Sequence, residues 1–423
     1  MTIAGNDQRN LTGSFAGLRV LDFSTTIAGP HCTRMLADMG AEVIKIETEE
    51  GETMRTRPPV RNNCSTAFGQ LNVGKNSLIL DLKSPKGSEA VRRLVATADV
   101  LVENFRPGVM RRLKLDYAAL HELNPKLVYC SISGYGQTGP SAELPAYAPV
   151  IHAASGYEMA HLAYQPGRSR PDYCGIYHAD VLTGVYAFGA ISAALYQRNA
   201  TGQGQHIDVS MLESMLSLTL NELQWSQFEV KPTQRPMFGP IETTDGYVMM
   251  AIASEKTFQS LMQVIGHPEW VSDPRFAKYS DRRENWVSLM EGVEAWSRAV
   301  TTGQCLAALN THGVPSSAYR TVAEALRDPQ IRALASRVKI TVADDPPTPL
   351  AAAVTVTLHD GHVLTRSVSD FKGTPQRPLD EAELRDKFLL LTRHCTADAS
   401  EMFDRLQNLE REPALDWIAV RPL

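Results

Sequence analysis

Asp180 is the residue best placed for covalent chemistry, because it stands at the start of a long apolar segment rich in alanine and glycine. An aspartate in this position is often a helix N-cap whose carboxylate accepts backbone N–H bonds. The same carboxylate lies in the positive potential of a helix N-terminus, stays ionised and can attack an activated carbonyl to form an anhydride. The residues alone leave both roles open.

A second candidate is His152, which lies in a mildly apolar stretch. A lone histidine in such surroundings is commonly a hydrogen-bonded core residue, but it can also form an acid/base pair with Asp180 around an α-proton. Four basic residues flank predicted strand ends, where doubly wound folds place ligands and where phosphates bind; each is equally typical of a solvated surface. They are Lys75, Arg106, Arg111 and Arg112.

The segment Gly134–Gly139 spells GxGxxG directly after a predicted strand. A dinucleotide-binding fingerprint needs a helix to open at the last glycine. Pro140 and Pro145 follow closely and leave room only for a broken turn. We therefore expect a structural turn or a substrate loop here.

The sequence also has no His/Asp/Glu group at metal-ligand spacing and no GxSxG elbow, so we expect no metal site and no serine hydrolase.

Composition and charge limit the class of protein. The 423 residues are 43% hydrophobic and 21% charged, which is typical of a folded chain with two domains and extensions. A net charge of −5 does not favour nucleic acid or an anionic membrane as a partner. The six cysteines are widely spaced without a CxxC pair, the N-terminus is polar, and no run of 18 apolar residues occurs. These features predict a cytoplasmic protein.

Alternating strands and helices between Gly17 and Gly136 would position these candidates. Predicted strands at 18–23, 42–47, 98–102 and 127–132 are separated by helices at 31–39, from Ser84-Pro85 onward and after Asp116. The pattern predicts an α/β fold with a doubly wound, Rossmann-like parallel sheet.

A long helix at 181–197 follows this sheet, and a smaller α+β domain with a strand at 247–252 comes next. A proline-rich linker at 344–349 then precedes a strand pair around Asp360-Gly361 and a charged helical segment. The predicted domains are therefore residues 1–228, 229–335 and 336–423.

Several strings resemble the class III coenzyme A transferases, the family of formyl-CoA transferase and carnitine CoA-transferase that also includes the α-methylacyl-CoA racemases. The resemblance spans about residues 15 to 335. The strings are GLRVLD (17–22), AGP (28–30), LADMGAEVIKIE (36–47), KNSLILDLK (75–83), ENFRPG (103–108), SISGYGQTGP (131–140), DVLTG (180–184), GQGQHIDVSMLE (202–213) and DPRF (273–276). From about Val338 the resemblance fades, and 354–388 looks like the C-terminal part of the MmgE/PrpD family.

This resemblance implies that Asp180 attacks an acyl-CoA thioester and that CoA then passes to a free carboxylic acid through an aspartyl-CoA thioester. It implies an interlocked homodimer and no tightly bound cofactor, with CoA as a substrate. The CoA-binding residues it implies are Thr26, Ile27, Ala28, Asn72, Lys75, Asn104, Phe105, Arg106, Arg112 and Tyr147.

Two other functions stay open. One is a racemase or epimerase that uses His152 and Asp180 as an acid/base pair, and the other is a non-catalytic CoA-binding protein in which Asp180 caps its helix. For a transferase, we expect the acceptor to be a small dicarboxylate whose second carboxylate binds Arg168 or Arg170. The family's glycine-run lid is absent around 228–239, which argues against oxalate.

Overall fold

The computed structural model describes residues 13–61, 63–165, 167–228 and 238–335, the strands at 352–357 and 363–368, and residues 385, 403 and 404. It divides the chain into two compact units, Met1–Tyr319 and Arg320–Leu423. The predicted domain boundaries near residues 228 and 335 stay predictions.

A six-stranded parallel sheet organises the first unit, which confirms the predicted α/β class. Its order is β5-β2-β1-β6-β7-β8, so the two halves of the sheet diverge from the adjacent strands β1 and β6. The strands of this unit are β1 Arg19–Asp22, β2 Glu42–Glu47, β3 Val60–Arg61, β4 Cys64–Ser65, β5 Asn76–Ile79, β6 Val100–Glu103, β7 Val128–Ser133, β8 His206–Ser210, β9 Ile241–Glu242, β10 Tyr247–Met250 and β11 Ser316–Ala318.

Helices cover both faces of this sheet. Those of the first unit are α1 Ala28–Asp38, α2 Thr66–Asn72, α3 Pro85–Val95, α4 Val109–Arg112, α5 Tyr117–His121, α6 Ala148–Ala154, α7 Tyr157–Ala163, α8 His178–Thr201, α9 Met211–Leu216, α10 Leu220–Trp225, α11 Glu255–Val264, α12 Tyr279–Glu284, α13 Trp286–Ser297 and α14 Thr302–Thr311. Helix α3 begins as predicted, because the Ser84 hydroxyl accepts the Gly87 N–H at 3.0 Å and Pro85 occupies the first turn.

Alternate residues of the central strands enter two different cores. Val20 of β1 packs with α1 and α8 on one face, whereas Leu21 packs with α3 and α5 on the other. The sheet is therefore buried on both sides, as expected for parallel strands joined by helices.

Helix α8 is the central helix of the first face. Its length and apolar composition would also suit a membrane span, but the same composition is typical of a core helix, and Ala187, Ile191 and Ala194 are buried against the sheet. Glycine lets α8 approach α1 closely, since a Cβ at Gly184 would lie 2.7 Å from the Ala28 carbonyl oxygen.

A separate antiparallel sheet in the order β11-β10-β9 packs with α11, α13 and α14 around its own apolar cluster. Strand β10 lies within the strand predicted at 247–252 and ends two residues earlier. That this part of the first unit forms a separate smaller domain stays a prediction.

The second unit contains α15 Val322–Ala325, α16 Pro329–Ala335 and the antiparallel strands β12 Ala352–Thr357 and β13 Val363–Val368. The last two confirm the predicted strand pair. The linker at 344–349 lies outside the described residues, as does the charged terminal segment apart from residues 385, 403 and 404.

Candidate active site

The candidate site lies where β1 and β6 end. In an open α/β sheet, ligands bind beyond the carboxyl ends of the strands at the point where strand order reverses, which here is the gap between β1 and β6. The loop after β1 carries Thr26 and Ile27 and leads into Ala28, the first residue of α1, and the loop after β6 carries Asn104. The sheet thus brings together two groups of predicted CoA-binding residues that are far apart in the sequence.

Asn104 joins these two loops. Its side-chain carbonyl accepts the Thr25 N–H at 2.8 Å, and its side-chain amide donates to the Thr25 carbonyl at 2.8 Å. Thr26 has a positive φ of 70°, which is costly for a β-branched residue, and its N–H donates to the Glu52 carboxylate at 2.6 Å. The strained loop is therefore held by side chains from two other segments.

A buried ionic network around Asp22, at the end of β1, supports the same loop. The Asp22 carboxylate, fully buried at the end of β1, accepts hydrogen bonds from Ser24, Thr33 and Lys75. Burial raises the pKa of Asp22, but Lys75, Lys45 and the hydroxyl donors outweigh it and lower that pKa to about 2. Asp22 is accordingly ionised throughout the neutral range.

The predicted phosphate contacts fall into two groups. The Lys75 ammonium donates to Asp22 at 2.9 Å, to the Pro30 carbonyl at 3.0 Å and to Asn72 at 2.8 Å, so its three N–H groups are already used. Arg106, Arg111 and Arg112 are exposed, and within the described residues their guanidinium groups have no ion-pair or hydrogen-bond partner. These guanidinium groups can bind a phosphate without giving up a partner, whereas the Lys75 ammonium would have to release one.

The two other residues predicted to contact CoA are Phe105 and Tyr147. Phe105 is half-buried and its N–H donates to Glu103 at 2.9 Å, which fixes the start of the loop after β6. Tyr147 precedes α6 and is 68% exposed, so its ring is open to solvent. As predicted, the segment Gly134–Gly139 is followed by turns, and the next helix starts only at Ala148.

Asp180 lies inside the first turn of α8, not ahead of it. The helix starts at His178 with Tyr177 as its N-cap residue, so the capping position expected for Asp180 is wrong by three residues. The Asp180 carboxyl has no hydrogen-bond or ion-pair partner in the part of the chain that the structure describes. Burial raises its pKa to about 6, which leaves most of the carboxyl ionised at neutral pH.

His152 is next to this turn. Its Nε2 accepts the N–H of Ala179 at 3.1 Å, and its Nδ1 lies 3.6 Å from the Glu158 carboxylate. Burial and the neighbouring His178 lower the pKa of His152, and Glu158 opposes them in part, so the ring is neutral at pH 7 with its proton on Nδ1. His152 therefore satisfies one of the first amides of α8, which have no partner within the helix.

Several residues of this site were not predicted. Glu52, Glu158 and His178 contact or adjoin the predicted residues, and Cys174 lies in the irregular segment before α8. Their roles depend on contacts between distant parts of the chain, so no local pattern marks them.

Comparison with known proteins identifies the family. The model of CoA-transferase family III matches residues 15–368. The chain belongs to CoA-transferase family III.

Named relatives agree with this assignment. The transferase is 34% identical over 354 residues to a succinate–glutarate CoA-transferase of Agrobacterium fabrum, covering 80% of this chain and 88% of the relative. It is 37% identical over 336 residues to an acetyl-CoA:oxalate CoA-transferase of Acetobacter aceti, covering 76% and 84%. A solved CaiB/BaiF family protein of Brucella suis superposes with a TM-score of 0.64 at 34% identity, covering 76% of this chain and 88% of that one.

The transferase is an enzyme that moves CoA from an acyl-CoA donor to a free carboxylic acid, as predicted. The alternative of a non-catalytic CoA-binding protein is thereby set aside. The family match continues past Val338, where we expected it to fade, and includes β12 and β13. The resemblance of 354–388 to MmgE/PrpD proteins stays a prediction.

Proposed function

We propose that the transferase works through a covalent cycle on Asp180 and that its acceptor is a small dicarboxylate. The observation that carries the first part is the state of the Asp180 carboxyl, which is partly buried, mostly ionised and without a partner among the described residues. A structural carboxylate in this position would be hydrogen-bonded. A nucleophile must instead keep a lone pair available.

The cycle begins when an Asp180 oxygen attacks the donor thioester carbonyl and expels CoA as its thiolate, which leaves a mixed anhydride. The thiolate attacks the aspartyl carbonyl and releases the donor acid, so Asp180 carries CoA as a thioester. The acceptor carboxylate then attacks that thioester and regenerates thiolate and anhydride. Finally the thiolate attacks the acceptor carbonyl, which yields the new acyl-CoA and free Asp180. The positive end of α8 favours the negative charge that develops beside Asp180.

CoA would lie across the β1–β6 gap, with its phosphates near Arg106 and Arg112. This placement is supported by the exposure of both guanidinium groups and by the close approach of α8 to Ala28 at Gly184. Residues four apart share a helix face, so Asp180 lies one turn before Gly184 on the side that faces the loop after β1.

His152 serves as a positioning residue in this proposal. The lone pair of its Nε2 is used by the Ala179 N–H, so it is not available to remove an α-proton, and this favours transfer over racemisation. Incubation of a chiral 2-methylacyl-CoA in heavy water without an acceptor acid tests this point. Stereospecific deuterium uptake at the α-carbon would contradict it.

A dicarboxylate acceptor is supported by the substrates in the names of the two relatives above and by Arg170. The Arg170 guanidinium lies over the Tyr173 ring, 5.2 Å from its centroid, and has no carboxylate partner among the described residues. Arg168 is already paired with Asp172. The lid region that argued against oxalate lies largely outside the described residues.

A homodimer is supported by the apolar surface that the isolated chain exposes. Helix α10 has no buried residue, and Leu220, Leu223 and Trp225 are each more than 40% exposed. Exposed apolar clusters of this kind mark interaction surfaces.

A cytoplasmic location is supported by the described thiols of Cys32, Cys130, Cys174 and Cys305, none of which forms a disulfide.

Two experiments test the proposal. Wild-type enzyme mixed with acyl-CoA and hydroxylamine should yield a hydroxamate on the peptide that contains Asp180, detected by mass spectrometry. Continued CoA exchange with that peptide unmodified would rule out the covalent role.

A panel of acceptors in matched pairs, butyrate with succinate and pentanoate with glutarate, should show faster transfer to the dicarboxylates; equal rates within pairs would rule out that preference.

A further inference from the structure

Three potential metal ligands meet at the start of α8, two of them four residues apart in the sequence and the third on α6. One ring nitrogen of His152, one of His178 and the Sγ of Cys174 all lie within 4.8 Å of one another. A tetrahedral zinc ion with bonds of about 2.0 to 2.3 Å needs its ligands somewhat closer together, so modest side-chain movements would close the site.

The available lone pairs fit such an ion. His178 Nδ1 is buried and has no hydrogen-bond partner among the described residues, which is costly for a polar atom. Cys174 is half-exposed, and its thiol makes only a long contact of 3.6 Å to the Ile176 carbonyl oxygen. A metal ion at this position would therefore meet a histidine nitrogen that has no partner and a thiol that is partly open to solvent.

Glu158 lies behind the His152 ring and would not touch the metal ion itself. Its carboxylate lies 3.6 Å from His152 Nδ1, on the side of the ring opposite to Nε2. A metal-bound histidine usually donates its other N–H to a carboxylate, which orients the ring. With one thiolate and the Glu158 carboxylate, a divalent cation would be locally neutralised despite the positive end of α8.

Metal binding at His152 would compete with a hydrogen bond that holds the first turn of α8. Nε2 has one lone pair, and it accepts the Ala179 N–H, the amide immediately before Asp180. A metal ion at Nε2 must displace that hydrogen bond, and coordination by His178 would pull on the same turn. Occupation of the site is therefore coupled to the position of Asp180.

We propose that Zn²⁺ binds His152 Nε2, Cys174 Sγ and His178 Nδ1, with water as the fourth ligand, and that its binding slows CoA transfer by releasing the Ala179 N–H that positions the Asp180 turn. The metal-binding part stands on geometry alone, and the inhibitory part rests on the proposed role of Asp180. Ligands of thiolate and imidazole type select zinc over magnesium or calcium.

Metal binding is tested without substrate on the full-length enzyme. Addition of Co²⁺ as a spectroscopic substitute should produce one equivalent of a thiolate-to-metal charge-transfer absorption, which Zn²⁺ then removes. Cys174→Ala should lack the band, and Cys64→Ala, a variant of an exposed thiol on β4, should keep it. Absence of the band in wild type, or its persistence in Cys174→Ala, would overturn the site whatever the role of Asp180.

Inhibition is tested with free zinc held by a chelating buffer. Zinc should lower the turnover of wild type reversibly, and Cys174→Ala should need more than about tenfold more zinc for the same fractional loss of its own zinc-free activity. Glu158→Gln should weaken zinc binding by about tenfold through the His152 ring. Equal zinc inhibition of wild type and Cys174→Ala would overturn the proposed coupling, and so would cobalt binding without any change in turnover.

Discussion

The two sides of the candidate site differ in how completely their polar groups are satisfied. Around the loop after β1, Asp22 has donors on both oxygens and Lys75 donates to three acceptors. At the start of α8, Asp180 and His178 Nδ1 have no partners within the described residues. In the first region the polar groups are hydrogen-bonded to one another, whereas the second leaves polar atoms without a partner. The covalent cycle proposed for Asp180 would use both features, because a fixed loop needs its polar groups hydrogen-bonded and a nucleophile needs a free lone pair.

The largest expected effect comes from Asp180→Asn. Asparagine cannot form the anhydride, so turnover should fall by about three or more orders of magnitude in a folded protein. The free energy of unfolding should rise at neutral pH, since burial raises the pKa of the Asp180 carboxyl to about 6 and the neutral amide of Asp180→Asn avoids the cost of a buried charge. Initial rates and denaturant unfolding measure the two quantities.

The surface substitution Asp38→Asn is the matched control and should leave the rate unchanged. An active Asp180→Asn enzyme, shown by mass spectrometry to be free of deamidation, would show that Asp180 is not the nucleophile. The start of α8 would then have no reactive role to set it apart from the region around Asp22.

Lys75→Met, in the hydrogen-bonded region around Asp22, should mainly lower the stability of the fold, whereas Asp180→Asn mainly lowers turnover. It leaves the fully buried Asp22 carboxylate without its ammonium partner and should cost about 3 to 5 kcal/mol of unfolding free energy. The double variant Asp22→Asn with Lys75→Met should recover part of that loss, as a denaturant double-mutant cycle would show. If Lys75→Met keeps wild-type stability and raises the KM for acyl-CoA, then Lys75 binds a phosphate and does not brace the loop.

Glu103, at the end of β6, supplies a test by pH. Burial raises its pKa to about 7, from an ordinary value of 4.5, and this outweighs the hydrogen bonds from Ser131 and the Phe105 N–H. A carboxyl whose pKa is higher in the folded state makes folding less favourable as pH rises from about 4.5 through 7. Glu103→Gln cannot ionise, so its stability relative to wild type should increase by about 2 to 3 kcal/mol between pH 4.5 and 8.

Denaturant midpoints of wild type, Glu103→Gln and the exposed control Glu122→Gln across this range would measure that difference. A parallel pH profile for wild type and Glu103→Gln would show that Glu103 is not protonated in the folded protein at neutral pH.

The smallest expected effect concerns acceptor recognition. Arg170→Ala should raise the KM for a dicarboxylate acceptor by about tenfold through the loss of one charge-assisted contact, and leave the KM for the matching monocarboxylate unchanged. Arg168→Ala is the matched control, because that guanidinium is already paired with Asp172. Equal changes for both acceptor classes would show that Arg170 acts on the loop and not on the second carboxylate.

The sequence by itself determined the elements that local chemistry specifies. Strand β2 was predicted from β-branched and alternating residues, and the start of α3 from its Ser84 cap, because these signals act within a few residues. The strings shared with CoA-transferases determined the family and the activity. The start of α8 was predicted three residues late, since no side-chain cap marks it and tertiary contacts, including the Ala179–His152 bond, hold its first turn.

Only the tertiary structure decided which residues act together. Lys75 reaches Asp22 across 53 residues of sequence, and Ala179 donates to His152 across 27. Such contacts arise when parallel strands are aligned by crossover helices, and no local pattern encodes them. For the same reason the structure, and not the sequence, showed the three acceptors of the Lys75 ammonium, removed Asp180 from the capping position and placed Cys174 beside two histidines. Each of these assignments depends on which lone pairs and N–H groups remain free after the chain has packed.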